Sequence, residues 1–324
     1  MNDKTQQTGF DIIGDVHGQA DKLEGLLGLM DYQLIDEVWQ HPERQAIFVG
    51  DLIDRGPRQL DSVNIARSMV ENGQAHIVMG NHEFNAIAFA TAHPHVSGDF
   101  LRTHLGDLGV RNRRGHQEFL DEVIEGSERH LDIIQWFKTI PLWLEVGGLR
   151  VIHACFDPAS MKYLSTRLAV GNTVTDELMV TMSTEGHADF KSLEILIKGP
   201  EIALPPGSEY LDKDDNLRRR ARYAWWKHDA TTFDIAAVIP DNCKTLDGLP
   251  FGLLPSDPIP SDNPQPYQDE IPLFFGHYWC SETHEIVAQH AICVDYSAGK
   301  GGPLKAYRWD GEKVIDRVKL VSFG

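Results

Sequence analysis

Asp15, His17, Asp51, Asn81, His153 and His277 are of the types that hold divalent cations. Hard cations take carboxylate and amide oxygens, whereas borderline ions such as Mn, Fe and Zn accept imidazole as well. Asp15 and His17 alternate within Gly14-Asp15-Val16-His17-Gly18, so at a strand end both side chains can point to one side, and the flanking glycines permit a tight turn. A carboxylate such as Asp51 can bridge two ions and hold them about 3.5–4 Å apart, the separation that two-metal hydrolysis requires. Taken singly, each residue has a bland explanation: an Asp before a turn is most often a cap, and a lone His is most often a hydrogen-bonded surface residue. What counts is whether the chain brings them together.

The elements that must do so are legible as three repeats. Apolar runs at Phe10 to Ile13, Ala46 to Val49 and His76 to Met79 each end in a polar cluster. The clusters are Gly14 to Gly18, Gly50-Asp51-Leu52-Ile53-Asp54-Arg55-Gly56-Pro57 and Gly80-Asn81-His82-Glu83, and each precedes a helical spacing of apolar residues. Repeated strand, polar turn and helix predicts βαβ units, whose ligands gather at the carboxyl ends of the strands. A helix is expected from Gln117 to Phe137. Leu142 to Val146 and Leu149 to Ile152 predict a hairpin around Gly147-Gly148 that delivers His153. Beyond it the pattern loosens, with Glu194 to Ile197 as a candidate strand and Leu217 to Lys227 as a basic helical stretch. Pro240 to Pro272 holds eight of the chain's seventeen prolines and predicts loop. Leu273 to Gly276 delivers His277. Ile286 to Ile292, Leu304 to Trp309 and Lys313 to Val321 are then expected as closing strands of a second sheet. The fold so inferred is an α/β sandwich of two mixed β-sheets flanked by helices, one catalytic domain over residues 10–324 with a long insertion or cap at about 156–270.

Composition narrows the function classes. A formal net charge of −18 repels nucleic acid and anionic membranes, so no general nucleic-acid or membrane role is expected. No run has the apolar length of a membrane span or secretory signal, and the four cysteines lack metal-knuckle spacing, which together predict a cytoplasmic protein with reduced thiols.

The three polar clusters, taken in order, resemble the signature of the calcineurin-like metallophosphoesterases, and the Asp54-Arg55-Gly56 ending resembles the phosphoprotein phosphatase branch. Phe275-Gly276-His277-Tyr278-Trp279 and Ile292 to Asp295 followed by Gly301 to Ala306 are similar to the bacterial symmetrical diadenosine tetraphosphatases. The resemblance covers residues 10–93, 149–157 and 273–309. It implies one ion on Asp15, His17 and bridging Asp51, and a second on Asp51, Asn81, His153 and His277. Trp279 stands where many relatives of the wider family carry a further histidine, and Cys155 stands where a glycine follows His-Ala.

The expected activity is hydrolysis of phosphate esters or anhydrides by a metal-activated water. The metals are two divalent ions, manganese first, with iron or zinc as possible substitutes, and the substrate is a phosphoprotein or a dinucleoside polyphosphate. His82 can protonate the leaving oxygen if a carboxylate orients it, and the resemblance implies Asp54 for that carboxylate. Arg55 suits bidentate contact with phosphoryl oxygens. Arg222, near Trp225-Trp226, is the candidate for a second substrate-binding arginine. The run Arg218 to Arg222 and the tryptophan pair are otherwise a solvated face and core. The rival expectation is a metal-binding scaffold of the same fold that has lost catalysis.

Overall fold

The computed structural model describes residues 9–212, 215–240, 243–261 and 263–324. Strands Gly9–Ile13, Arg44–Phe48 and Ala75–Ile77 lie side by side in parallel. They lead into helices Ala20–Leu29, Gln59–Glu71 and Asn81–Ala90. Parallel neighbours need a crossover, and the first two helices supply it. The three polar turns therefore open on one edge, as their spacing predicts. On its other side the first strand pairs antiparallel with Leu304–Trp309, which pairs with Leu320–Phe323 to complete a five-stranded sheet.

A four-stranded sheet faces it. The hairpin Trp143–Val146 and Leu149–Ile152 turns at Gly147 and Gly148, whose φ of 60° and 94° lie in the left-handed region that glycine tolerates. Leu273–Phe275 and Ala291–Cys293 add to the hairpin in parallel. Alternate residues of both sheets, among them Ile12, Ile47, Val151 and Phe274, form the apolar layer between them. Their neighbours Ile13, Phe48, Ile152 and Phe275 face outward into the larger core that the helices complete. Each fully buried Ile, Val or Phe contributes roughly 1.5–3 kcal/mol, against about 0–1 kcal/mol for an exposed ion pair, so it is this double layer that fixes the strand ends. The α/β sandwich expected from the sequence is the fold observed.

Several local expectations are corrected. Gln117 to Phe137 is two helices, Gln117–Val123 and Glu128–Phe137. The chain breaks at Ile124 and Gly126 (φ 61° and 77°), and Ser127 Oγ caps the second helix by accepting from His130 N at 3.1 Å. Glu194 to Ile197 is no strand but the last turn of helix Ala188–Lys198, which buries Leu193, Leu196 and Ile197 at helical spacing. Leu217 to Lys227 is not helical: Leu217–Arg218 and Arg220–Tyr223 are strands, with Ala221 and Tyr223 buried and Arg220 exposed at period two. Of the three expected closing strands, only Ala291–Cys293 joins the second sheet, while Leu304–Trp309 and Leu320–Phe323 extend the first. Alternation tells that a segment is a strand and not which edge it completes.

Within 156–270 the described residues include helices Pro158–Ser165, Asp176–Met182 and Ala188–Lys198, followed by a small sheet of Glu201–Ala203, Arg220–Tyr223 and Ala237–Val238. Asp157 starts the first helix by accepting from Ser160 N at 2.9 Å, with Pro158 in the first turn where its missing N–H costs nothing. Trp225 and Trp226 are core, and Trp225 Nε1 donates to Tyr278 Oη at 3.0 Å. Between Val238 and Leu273 the described residues form no helix or paired strand of the main sheets, in keeping with the proline density.

Candidate metal centre

The turns after the three parallel strands meet the ends of Leu149–Ile152 and Leu273–Phe275 at a single buried point. Asp15, His17, Asp51, Asn81 and His153 are all buried there, and His277 is half-buried beside them. One carboxylate oxygen, Asp51 Oδ2, lies 3.4 Å from His153 Nε2, 3.7 Å from His17 Nε2 and 3.8 Å from His82 Nε2. Two clusters of potential ligand atoms result, His17–Asp51–His82 and Asp51–His153–His277, with Asp51 common to both. Asn81 Oδ1 adds an amide oxygen to the second, 2.8 Å from His277 Nδ1 and 3.2 Å from His153 Nε2.

The backbone is bent to achieve this. His17, Asp51, Asp54, Arg55, His277 and Trp279 all have left-handed φ, between 48° and 77°. Such conformations cost of order 1 kcal/mol or more each for residues with a side chain, and they persist only where the surroundings over-determine them. Glu83 is the principal brace. Its buried carboxylate accepts from Asp51 N at 2.8 Å, Leu52 N at 2.8 Å and Gly80 N at 2.9 Å, tying the second turn to the third. Asp295 does the same for the turn after His277, accepting from Trp279 N and Ser297 N, each at 2.8 Å. Two glycines admit the ligands closely: a Cβ at Gly276 would collide with Asp15 Oδ1, and one at Gly80 with Asp51 Oδ1.

Electrostatics favour cations. Asp15 Oδ1 and His17 Nε2 are buried and have no hydrogen-bond partner, a costly arrangement unless an ion takes them. Burial, with Asp295 and Asp51 adding like charge, raises the Asp15 carboxyl well above the usual range. Burial, reinforced by His82, lowers His17 to about 3, so its ring is neutral. Its Nδ1 donates to Ile53 O at 2.9 Å, which aims the Nε2 lone pair inward. Burial also opposes ionisation of Asp51, yet His153 and His82 hold its pKa well below the usual value. Conversely, against burial, Asp51 raises His153 to about 10. His153 Nδ1 donates to Val49 O at 2.7 Å, so Nε2 is the atom facing the centre. Burial, His153 and Arg222 keep His277 well below its ordinary value. The oxygen and imidazole set suits borderline divalent ions, and these residues fit them.

Around the centre, His82 Nδ1 is hydrogen-bonded to Asp54 Oδ2, and its Nε2 is 3.5 Å from Arg55 Nη2. Asp51 and Asp54 raise the His82 pKa although burial opposes them. Arg55 also lies over the Trp279 ring, 4.6 Å from its centroid. Arg222 reaches the other rim of the site, over Tyr278 at 5.2 Å, and shares with His277 the wall of a groove of about 1280 Å³. Every residue singled out from the sequence is thus at or near one centre.

His116 was not singled out from the sequence. His116 is buried and places Nδ1 2.7 Å from Asp54 Oδ1, so Asp54 is gripped by two imidazoles. No signal in its neighbourhood marks it, because its partner lies 62 positions earlier.

Residues 9–248 match the family model described as calcineurin-like phosphoesterase. A symmetrical bis(5'-nucleosyl)-tetraphosphatase of Janthinobacterium sp. (strain Marseille) is 27% identical over 298 residues, covering 91% of this chain and 90% of that protein. An asymmetrical bis(5'-nucleosyl)-tetraphosphatase of Oceanobacillus iheyensis is 30% identical over 146 residues, covering 45% of this chain; the match spans only about half (54%) of that relative's length. A serine/threonine phosphatase structure from Saccharomyces cerevisiae superposes with a TM-score of 0.47 at 14% identity, covering 99% of this chain and 81% of that one.

Proposed function

Because this chain belongs to the calcineurin-like phosphoesterases, we propose that it is a dinuclear-metal phosphohydrolase acting on a phosphorylated nucleotide or protein. The observation that carries the proposal is the single Asp51 oxygen shared by two clusters of ligand atoms, since hydrolysis by two metals needs a common carboxylate between them. We assign one ion to Asp15, His17 and Asp51 and the other to Asp51, Asn81, His153 and His277. His82 also stands within ligand reach. Asp15 is preferred for the first ion because its Oδ1 is buried and unpartnered, whereas His82 opens onto a cavity. Manganese is the favoured metal, with iron and zinc compatible with the same donors.

Bound there, two divalent ions would supply the charge that draws in phosphoryl oxygens and acidifies a water for in-line attack on phosphorus. The chain's own residues do the rest. Arg55 donates to the non-bridging oxygens as negative charge builds on them. The P–O bond to the leaving group breaks, and His82 Nε2–H delivers the proton that the departing oxygen takes up. Asp54, hydrogen-bonded to Nδ1, holds the ring in the orientation and charge state that this needs, and His116 holds Asp54. Arg222 contacts substrate phosphate from the opposite rim.

The test is turnover by manganese-loaded protein on four substrates in parallel: p-nitrophenyl phosphate, diadenosine tetraphosphate, a phosphoserine peptide and a phosphotyrosine peptide. Hydrolysis of at least one at a rate that chelation removes is expected. Folded protein with two bound metals per chain and no turnover of any of them would leave a metal-binding scaffold as the better description.

A further inference from the structure

Beside His82 opens a cavity of about 560 Å³, within the roughly 300–1,000 Å³ of small-molecule sites. Its walls include three arginines, Arg55, Arg102 and Arg114, together with Asn85 and Asn112. Several arginines elsewhere in this acidic chain are answered by carboxylates, among them Arg58 by Asp21, Glu24 and Asp61, Arg67 by Glu71 and Asp132, and Arg113 by Glu125. Among the described residues, no carboxylate pairs with the three arginines of the cavity. Of the two acids in its wall, Asp54 is already committed to His82 and His116, and Glu118 is exposed.

Arg55 and Arg102 are half-buried, and Arg114 is exposed. Burial lowers the pKa of Arg102, whose guanidinium donates to a neutral amide, Asn85 Oδ1, at 2.9 Å. Asp54 and Glu194 both favour its charge, but neither forms an ion pair with it, Glu194 being bonded to Lys198. A half-buried cation without an ion pair carries a desolvation cost that an anion would offset. The loop that carries it is built to hold it there. His104 stacks between Phe89 and Phe100 with ring centroids 3.8 and 4.0 Å away, Asp99 accepts from Thr103 Oγ1 at 2.6 Å and from His104 N at 2.8 Å, and Arg102 N donates to Ala88 O at 3.0 Å.

We infer that this cavity is a second anion site, in which Arg102 and Arg114 bind phosphate belonging to the leaving part of the substrate. The inference rests on the assignment of His82 as proton donor, because a group that protonates the leaving oxygen must stand on the leaving-group side, and the cavity is on that side. It selects among the substrate classes. A serine or tyrosine leaving group brings no charge to the guanidiniums of Arg102 and Arg114, whereas a nucleoside polyphosphate leaving from an anhydride brings at least one phosphate that an arginine fork can grip in bidentate fashion. The preferred substrate is therefore a phosphoanhydride whose leaving group is itself phosphorylated.

The experiment measures inhibition of manganese-dependent p-nitrophenyl phosphate hydrolysis by ADP and by orthophosphate, with free manganese held constant. Orthophosphate needs only the metal centre, whereas ADP can also fill the cavity. Arg102→Gln should raise the ratio of the ADP to the orthophosphate inhibition constant about tenfold, and Arg114→Gln, exposed and so without effect on folding, should raise it by a smaller factor in the same direction. Both ratios unchanged would overturn the site. If the wild-type protein turns over nothing, the phosphohydrolase reading fails by itself, and calorimetric titration of the same three proteins with ADP still decides the cavity. Weaker ADP binding in the variants keeps the anion site, and equal binding removes it. A doubly phosphorylated serine peptide that loses more than ADP on Arg102→Gln would overturn the nucleotide assignment.

Discussion

The turns at the strand ends and the segment 156–270 both border the same centre, yet they are built in opposite ways. The turns are buried, strained into left-handed conformations and cross-braced by carboxylates that accept two or three backbone N–H groups each. The segment contributes a groove of about 1280 Å³ in which Arg222 is held by little more than its strand and the face of Tyr278. Groups that bind ions and transfer protons must be placed to a fraction of an ångström, and the strain is tolerated because the sandwich fixes the strand ends. Groups that meet a variable part of a substrate need reach more than fixity.

If that contrast is right, substitutions in the turns act on metal content and rate, and those outside act on substrate affinity. The largest effect is expected at Asp51. Its Oδ2 serves both clusters, so Asp51→Asn should weaken both ions and lower kcat/KM by about 10³-fold or more, whereas Asn81→Ala should strip mainly one ion. Metal analysis beside kinetics checks it, and equal, mild losses in the two variants would move the bridge to another residue. Chelation should likewise abolish activity. Manganese should restore it better than magnesium, since His17, His153 and His277 are poor partners for a hard ion.

Next in size is His82→Asn, which should retain both metals and lose roughly 10²–10⁴-fold in kcat on substrates with a basic leaving oxygen, as removal of a general acid does. On p-nitrophenyl phosphate, whose leaving group departs without a proton, the loss should be much smaller. An equal loss on both substrates, or a missing metal, would return His82 to the ligand cluster with His17 and Asp51 in which geometry also places it. Glu83→Gln is expected to be milder. The amide keeps one acceptor and turns an NH₂ toward a backbone donor now bonded at 2.8–2.9 Å, so the Asp51 turn loosens and metal affinity drops about 10–100-fold, as for other groups behind a metal ligand. Unchanged affinity would show that the strained turn holds its shape without the brace.

The same contrast explains what the sequence disclosed. Asp15, His17, Asp51 and Asn81 follow strands whose apolar runs are readable, and a strand that ends in Gly-Asp or Gly-Asn leaves few places for the side chain to go. His153 and His277 were legible for the same reason. His116 and Arg102 were not, because each acts through a contact made by folding, with Asp54 and Asn85, and sits in a loop or turn with no periodic pattern of its own. Segment 156–270 was the least legible region. Its basic stretch at Arg218 to Arg222 has the composition of a helix face but is split between two narrow sheets, where pairing of Arg218 with Tyr210, and of Arg220–Tyr223 with Glu201–Ala203 and Ala237–Val238, overrides propensity.

The smallest effect is expected at Arg222, and it tests the contrast from its other side. Arg222 lies beside Tyr278 and close enough to His277 to lower that ring's pKa, so a phosphate at the centre is within the field of its guanidinium. It is only half-buried, and no backbone brace depends on it. Arg222→Ala should therefore leave the metals in place and raise KM about tenfold, the worth of one exposed charge-assisted contact, with kcat changed much less. Arg222→Lys should recover part of the affinity by charge alone, without the planar fork. A loss carried mainly in kcat would mean that the contact forms in the transition state and not in the ground state. Arg222 would then work beside Arg55 at the phosphoryl oxygens, and the groove wall would belong with the turns.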